Sequence, residues 1–323
     1  MNKRIAMAAM AACCIMAACS EKIEVSHEME GMVTDIHFCV PVPETKLMST
    51  VSENTVASLQ IFVFGMDGKI EAYGTSTYSS SLSMTCTTGE KDVVALVNAE
   101  PQKDILYLSE LKARTTGMSE NTGGNLVMEG ITRVKLKPSE TVTIPVSRCA
   151  ARVKLEKVST DFVLDVYDKM EFKITKVMLT NVAGDKPILG SGVPSVWYNK
   201  RGQDPSELSV ISNTVDNVVV TRTVPYKTPH YFYCYPNPTT TDSTSETWSA
   251  RKTRLVVVTT LGGTVYYYPV TLPVLEANKL YSVSLTVTRP GSTDIDVPVE
   301  KMVAAISVSV IGWGTGADVT ETI

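Results

Sequence analysis

The sequence predicts an all-β protein of two tandem β-sandwich domains, with at most one or two short helices. Three observations predict it. First, 42 Val, 38 Thr and 16 Ile make 96 β-branched residues among 323, and such side chains suit a pleated, half-buried surface while losing χ1 freedom in helices. Second, short runs alternate apolar and polar residues with period two between Gly, Asn and Asp turn signals, the pattern of sandwich strands. Third, the length divides into two halves of ordinary domain size. With 44% hydrophobic residues the chain can bury a large core, which excludes disorder throughout. The net charge of −4 comes from scattered acids and bases, so the concentrated basic face of a nucleic-acid binder is absent.

The first residues read as an export signal. Met1-Asn2-Lys3-Arg4 precedes an uncharged run from Ile5 to Ala18 and then Cys19-Ser20-Glu21-Lys22. That run is shorter than a membrane-spanning helix. Met16-Ala17-Ala18-Cys19 has the form of a lipobox, predicting lipidation at Cys19 after removal of residues 1–18. The alternative is ordinary signal cleavage with Cys19 incidental. Met10-Ala11-Ala12-Cys13 looks similar but would leave too short an apolar region. A Ser after the lipidated Cys fits sorting to the outer membrane. The other mature cysteines, Cys39, Cys86, Cys149 and Cys234, have long irregular spacings, which excludes structural zinc and leaves disulfides and buried thiols both open.

The elements follow in order. A polar stretch, Glu21 to Gly31, reads as a tether. Met32, Ile36, Phe38, Val40 and Val42 share one face of a half-buried strand, with Asp35 and His37 on the other. Leu59 to Phe64 is a strand whose hairpin turn is Asp67-Gly68. Asp92 to Asn98 reads as a buried strand. Ile105, Leu108 and Leu111 recur at helical spacing between Asp104 and Arg114. Strand patterns resume at Val134 to Leu136, Val142 to Val146 and Arg152 to Val158, and the domain boundary falls near Arg148. This gives a first domain over 19–148, with a first strand within about 31–46, and a second over 149–323. In the second, Phe172 to Val182 and Val218 to Thr223 read as strands, and Pro238 to Ser249 is a Thr/Ser-rich loop. Arg254 to Thr260 and Thr264 to Leu272 flank a Leu261-Gly262-Gly263 hairpin. Tyr281 to Thr288 alternates most cleanly, and Ala304 to Trp313 is the last long strand, with Ile306, Val308 and Val310 on one face.

Chemistry-bearing motifs are sparse. His27, His37 and His230 stand in no metalloprotease or nucleophile signature. Gly312-Trp313-Gly314-Thr315-Gly316 has a phosphate-loop look, but only seven residues follow, too few for an anion-binding helix. Asp294, Asp296 and Asp216 lack a calcium-loop pattern and read as solvated acids. The tyrosines at 231, 233 and 235 and at 266 to 268 read as strand packing before sugar platforms. No cofactor is expected and nothing supports an enzyme.

In this order, the segments resemble the fimbrillins, lipoprotein-derived subunits of type V pili with two transthyretin-like β-sandwich domains. The resemblance rests on Leu59 to Phe64 with Asp67-Gly68, Val94-Ala95-Leu96-Val97-Asn98, Leu126-Val127-Met128-Glu129-Gly130 and Arg148-Cys149-Ala150-Ala151-Arg152. It continues through Tyr268-Pro269-Val270, Asn278 to Val283, Arg289 to Ser292 and Ile306 to Trp313. It implies a structural pilin: a lipid-anchored precursor at the cell outer membrane, matured by a trypsin-like protease that removes the first strand. Other pilin subunits then fill the vacated groove by donor-strand exchange, forming a surface fimbrium that supports adhesion and biofilm, with a host or bacterial surface ligand as a further partner. Lys46 is the only Lys or Arg between Lys22 and Lys69 and is the expected cut, against an ordinary loop lysine. Five inward side chains would leave, roughly 7–15 kcal/mol of burial. Two donor stretches are open: Ile306, Val308 and Val310, unless that strand completes its own domain, and the tail with Ala317, Val319 and Ile323, in which Glu321 falls on the apolar side. The alternative is a monomeric surface lipoprotein or tip adhesin binding a glycan or host protein, or an uncleaved anchor subunit.

Overall fold

A computed structural model describes residues 30–41, 53–203, 210–242, 248–299, 303–313 and 318–321. Its first strands are β1 (Val33–Cys39), β2 (Ser58–Phe64), β3 (Ile70–Thr77), β4 (Ser81–Thr87) and β5 (Gly89–Val97). Helix α1 (Leu108–Ala113) follows, then β6 (Thr115–Gly117), β7 (Met128–Leu136), β8 (Thr141–Thr143) and β9 (Ser147–Arg148). Next come β10 (Ala151–Thr160), a turn of helix α2 (Asp165–Asp168), β11 (Phe172–Thr180), β12 (Val182–Ala183), β13 (Asp185–Pro187) and β14 (Trp197–Tyr198). The chain continues through β15 (Ser212–Val219), β16 (His230–Cys234), β17 (Arg254–Leu261) and β18 (Thr264–Thr271). It ends with β19 (Lys279–Val287), β20 (Ala304–Gly312) and β21 (Asp318–Glu321).

These strands form two sandwiches, as the β-branched composition predicts. In the first, a five-stranded sheet of order β3-β2-β5-β7-β9 faces a three-stranded sheet of order β4-β1-β8. Their inward faces close over Ile36, Phe38, Leu59, Ile61, Val63, Val93, Ala95, Val97 and their neighbours. In the second, sheets of order β16-β10-β19-β20-β21 and β15-β11-β17-β18 enclose a larger core around Val153, Phe172, Val257, Tyr281 and Val308. The Asp67-Gly68 and Gly262-Gly263 turns are present, with Gly68 at φ +78° and the glycine pair at +56° and +86°, the left-handed region that glycine enters without strain. No helix among the described residues is long and apolar enough to cross a membrane.

A third apolar cluster joins the sandwiches. Phe62, Phe64, Val94 and Leu96, on the outer face of the first large sheet, meet Ile105, Leu108 and Leu111 and also Ala183, Ile188, Leu189 and Tyr235 from the second half. The backbone is continuous across the same seam, since β13 pairs with β6. Two expectations change. The helix begins at Leu108 rather than Asp104, because the Leu106 carbonyl accepts from Ile70 N–H (2.8 Å) and so holds the segment extended. The Val218 to Thr223 strand is displaced toward the N-terminus as β15, and Val224 N–H closes a turn onto Thr221 Oγ1 at 3.0 Å.

Cys39, Cys86, Cys149 and Cys234 are all free thiols. Burial pushes the thiol pKa of Cys86 up to about 11 and those of Cys149 and Cys234 up to about 12. Since the thiolate is the nucleophile, these three resist alkylation in the folded protein at pH 8. Iodoacetamide followed by peptide mapping should label half-buried Cys39 first among the four, and the rest only after denaturation.

Candidate functional site

The strand expected to be removable is the middle strand of its sheet. β1 pairs antiparallel with β4 from Val33↔Thr87 to Cys39↔Ser81 and parallel with β8 from His37↔Thr141 to Cys39↔Thr143. Its flanks are also held: Val40 N–H donates to Ser80 O (2.9 Å), and Ile144 N–H to Cys39 O (2.9 Å). The alternation puts Ile36 and Phe38, both at 0% exposure, and Val40 into the core. The outward residues make surface contacts, Asp35 with Thr85 Oγ1 (2.6 Å) and His37 Nδ1 with Ser83 Oγ (3.1 Å).

Without β1, the space between β4 and β8 would open onto Leu59, Ile61, Val93, Ala95, Val142 and Ile144. Three buried side chains, Ile36, Phe38 and Val40, occupy it. Of the five side chains expected on this face, Ile36, Phe38 and Val40 are buried, Met32 is half-buried, and Val42 lies outside the described residues. At about 1.5–3 kcal/mol each, the three buried ones account for roughly 5–9 kcal/mol. Phe38→Ala should therefore destabilise the uncut protein by about 3–5 kcal/mol in urea titration.

Cys19, Lys46 and Ile323 lie outside the described residues. Ile306, Val308 and Val310 stand in β20, which pairs with β19 along its whole length from Lys279↔Gly312 to Val287↔Ala304. Val308 is buried, and Ile306 and Val310 pack half-buried against the same core, so in this structure β20 completes its own sheet. Val319 lies in β21, its backbone opposite Val310. The structure does not bring these C-terminal residues to the β1 groove of the same molecule.

The sequence reading missed a second constellation where the halves meet. The Glu53 carboxylate, 2% exposed, accepts from Arg152 Nη1 (3.0 Å), Trp313 Nε1 (3.0 Å) and Tyr233 Oη (2.6 Å). The Arg148 guanidinium lies 4.6 Å above the Trp313 ring and donates to its carbonyl at 3.2 Å, with further hydrogen bonds to Asn278 and Asn54. Tyr233 stacks on Trp313 at 5.8 Å, and Arg152 covers Tyr231 at 4.3 Å. Burial lowers the Arg148 pKa against the opposing pull of Glu53. Burial first, then Glu53, raises the Tyr233 pKa. Two cations, one anion and two tyrosine rings thus form a closed cage with the Trp313 indole. The one sequence signal was the Arg148 and Arg152 pair entering an apolar strand.

The remaining candidates are occupied in packing. Tyr268 is fully buried and donates to Arg289 O at 3.0 Å. Tyr235, also buried, bonds Thr116 Oγ1 at 2.7 Å across the seam. Asp296 accepts from Gly202 N–H at 2.9 Å, and His230 Nε2 meets Tyr226 Oη at 2.5 Å.

Comparison with known proteins agrees with this architecture. Residues 43–191 match the family model described as major fimbrial subunit protein (FimA). No curated protein matches the chain. A putative cell adhesion protein from Bacteroides eggerthii is similar with TM-score 0.69 and 19% identity, over 89% of this chain and 98% of that one. Another from Parabacteroides distasonis gives 0.65 and 17%, over 90% and 99%. A fimbrilin from Porphyromonas gingivalis gives 0.64 and 16%, over 87% and 98%. At these identities the likeness establishes the fold. The chain carries the sequence signature of the major fimbrial subunit family across residues 43–191 and the fold of a fimbrilin across 87% of its length.

Proposed function

We propose that the chain is a structural subunit of a surface fimbrium that polymerises by donor-strand exchange and supports adhesion and biofilm formation, with no catalytic step. It is exported as a precursor lipidated at Cys19 and anchored in the outer membrane. A trypsin-like protease then cuts after Lys46, and what remains of the two sandwiches, over 47–148 and 149–323, is the building block of the fibre. Its partners are other pilin subunits, and a host or bacterial surface ligand at the fibre's target.

One observation carries this reading. The groove of the first sandwich is filled by the inward pattern Ile36-x-Phe38-x-Val40, and β20 offers Ile306-x-Val308-x-Val310, the same residues but for one smaller side chain. A β20 from a neighbouring molecule would seat with this face inward, because a one-residue slip would turn Ala305, Ser307 and Ser309 into the groove. The tail offers Val319 and Ile323 around Glu321, and a carboxylate in that dry groove is costly. The tail therefore serves as the extension that carries β20 out and holds its end.

The complete pairing of β20 with β19 favours the second reading, a monomeric surface lipoprotein or tip adhesin. N-terminal sequencing of surface-shed material, with electrophoresis of unheated samples, separates the two. The fibre reading expects a start at Leu47 and SDS-stable ladders, and expects deletion of residues 314–323 to abolish them. Retention of Lys46 in a monomeric surface form would support the adhesin, and normal fibres from the deletion variant would contradict the donor role.

A further inference from the structure

We infer that the Glu53–Trp313 cage is a lock on the donor strand: Glu53 holds the end of β20 in its own subunit, and the strand becomes available to a neighbour when that hold is lost. The inference rests on the donor-strand reading above.

Trp313 directly follows β20, so β20 leaves its sheet only if the indole is withdrawn. The indole is 2% exposed, and its backbone N–H donates to Asn278 O at 2.9 Å. Most cage members come from the second sandwich or from the connection into it. Glu53 and Asn54 are the exceptions, reaching Trp313 and Arg148 from the start of the first sandwich. Glu53 is also the cage's only carboxylate. Without it, the guanidiniums of Arg148 and Arg152 would face each other in a dry space, a strongly unfavourable arrangement. The Nε atoms of both arginines already have no hydrogen-bond partner among the described residues, so the closed cage has little to spare.

The lock lies close to the proposed cut. Glu53 is seven residues beyond Lys46. Immediately downstream, Asn98 fixes the backbone: its Oδ1 accepts from Ala57 N–H (2.8 Å) and Ser58 N–H (3.2 Å), and its Nδ2 donates to Thr55 O (2.7 Å). Glu53 and Asn54 fall just outside that grip. In the uncut chain they are tethered on both sides, by β1 and by β2. After a cut at Lys46 they are tethered only through β2, and ordering them against Trp313 costs more chain entropy. The same event that empties the groove therefore loosens the strand that is to fill another groove, and an uncut precursor keeps its donor to itself.

Hydrogen exchange of a β20 peptide (304–312) tests this in the full chain at monomeric dilution. The uncut Lys46→Ala protein is the reference, beside the same protein carrying Glu53→Gln or Trp313→Phe, and a chain cut at a specific protease site placed at 43–49. Loss of a hydrogen bond to a charged group corresponds to about tenfold to hundredfold faster opening. That acceleration is expected in β20 for both variants and for the cut chain, with β11 and β17 unchanged. Trp313→Phe removes the Nε1–H donor with its five-membered ring and keeps one aromatic ring in the cage, so it carries the test if Glu53→Gln does not fold. Unchanged β20 exchange in the cut chain and in Trp313→Phe overturns the lock, and if that cut chain still polymerises on concentration the fibre reading survives. Faster exchange supports the lock, and if no SDS-stable polymer then forms it is the donor-strand reading that fails.

Discussion

Lys46→Ala abolishes polymer and leaves a folded monomer. The reason lies in where β1 sits. It is the middle strand of its sheet, bonded to β4 on one side and β8 on the other, with Ile36, Phe38 and Val40 closing the core. An incoming strand would have to displace an occupant worth roughly 5–9 kcal/mol of side-chain burial, and an uncut β1 rebinds at the effective concentration of a tethered segment. Since no other Lys or Arg lies between Lys22 and Lys69, a trypsin-like enzyme has no substitute site there. Size-exclusion chromatography should show monomer only. Stability in urea should match the uncut parent within about 0.5 kcal/mol. Fibres from this variant would remove Lys46 from the account.

Glu53→Ala is expected to cost the folded subunit as much as Phe38→Ala, about 3–5 kcal/mol in urea or thermal unfolding. Removing one partner of a buried ion pair leaves the other charge uncompensated. Here the stranded partner is Arg152, 2% exposed, with Arg148 at 0% beside it. Tyr233 and the Trp313 indole lose their acceptor at the same time. The double variant Glu53→Ala with Arg152→Met should recover much of the loss, because it replaces the pair with apolar volume. Equal stability of Glu53→Ala and parent would mean that water enters the cage and the contacts carry little energy.

The fold was legible where alternation meets burial on one face. β1, β19 and β20 each show an alternating apolar set that the structure turns inward, while the continuous apolar runs of β2 and β5 are buried on both faces. β3 and β4 were missed although Leu82, Met84 and Cys86 alternate in β4, because their Ser and Thr neighbours read equally well as loop and Leu82 and Met84 are only half-buried. The first strand of the candidate site was legible for the same reason as β19. The half-burial of Met32 was not: it depends on how the strand begins against β4, which no local pattern sets. The Glu53 cage was illegible. Its contacts join residues 99, 180 and 260 positions apart, and a lone Glu between Ser52 and Asn54 reads as solvated. Likewise β20 looks the same in sequence whether it completes its own sheet or another's, since both grooves select the same alternation.

Disulfide trapping between subunits addresses the exchange itself. His37 pairs with Ser83 in the intact sheet, with side chains 3.1 Å apart. A donor β20 seated with Ile306 in the place of Ile36 puts exposed Ser307 at that position. Cross-strand Cβ atoms about 4.5–5.5 Å apart come within reach of a disulfide after small adjustment. Cut protein carrying Ser83→Cys and Ser307→Cys should give, under oxidation, a ladder that survives boiling without reductant and collapses to monomer with it. A polymer that falls to monomer on boiling without reductant, with no covalent ladder at any stage, would contradict donor-strand exchange by β20.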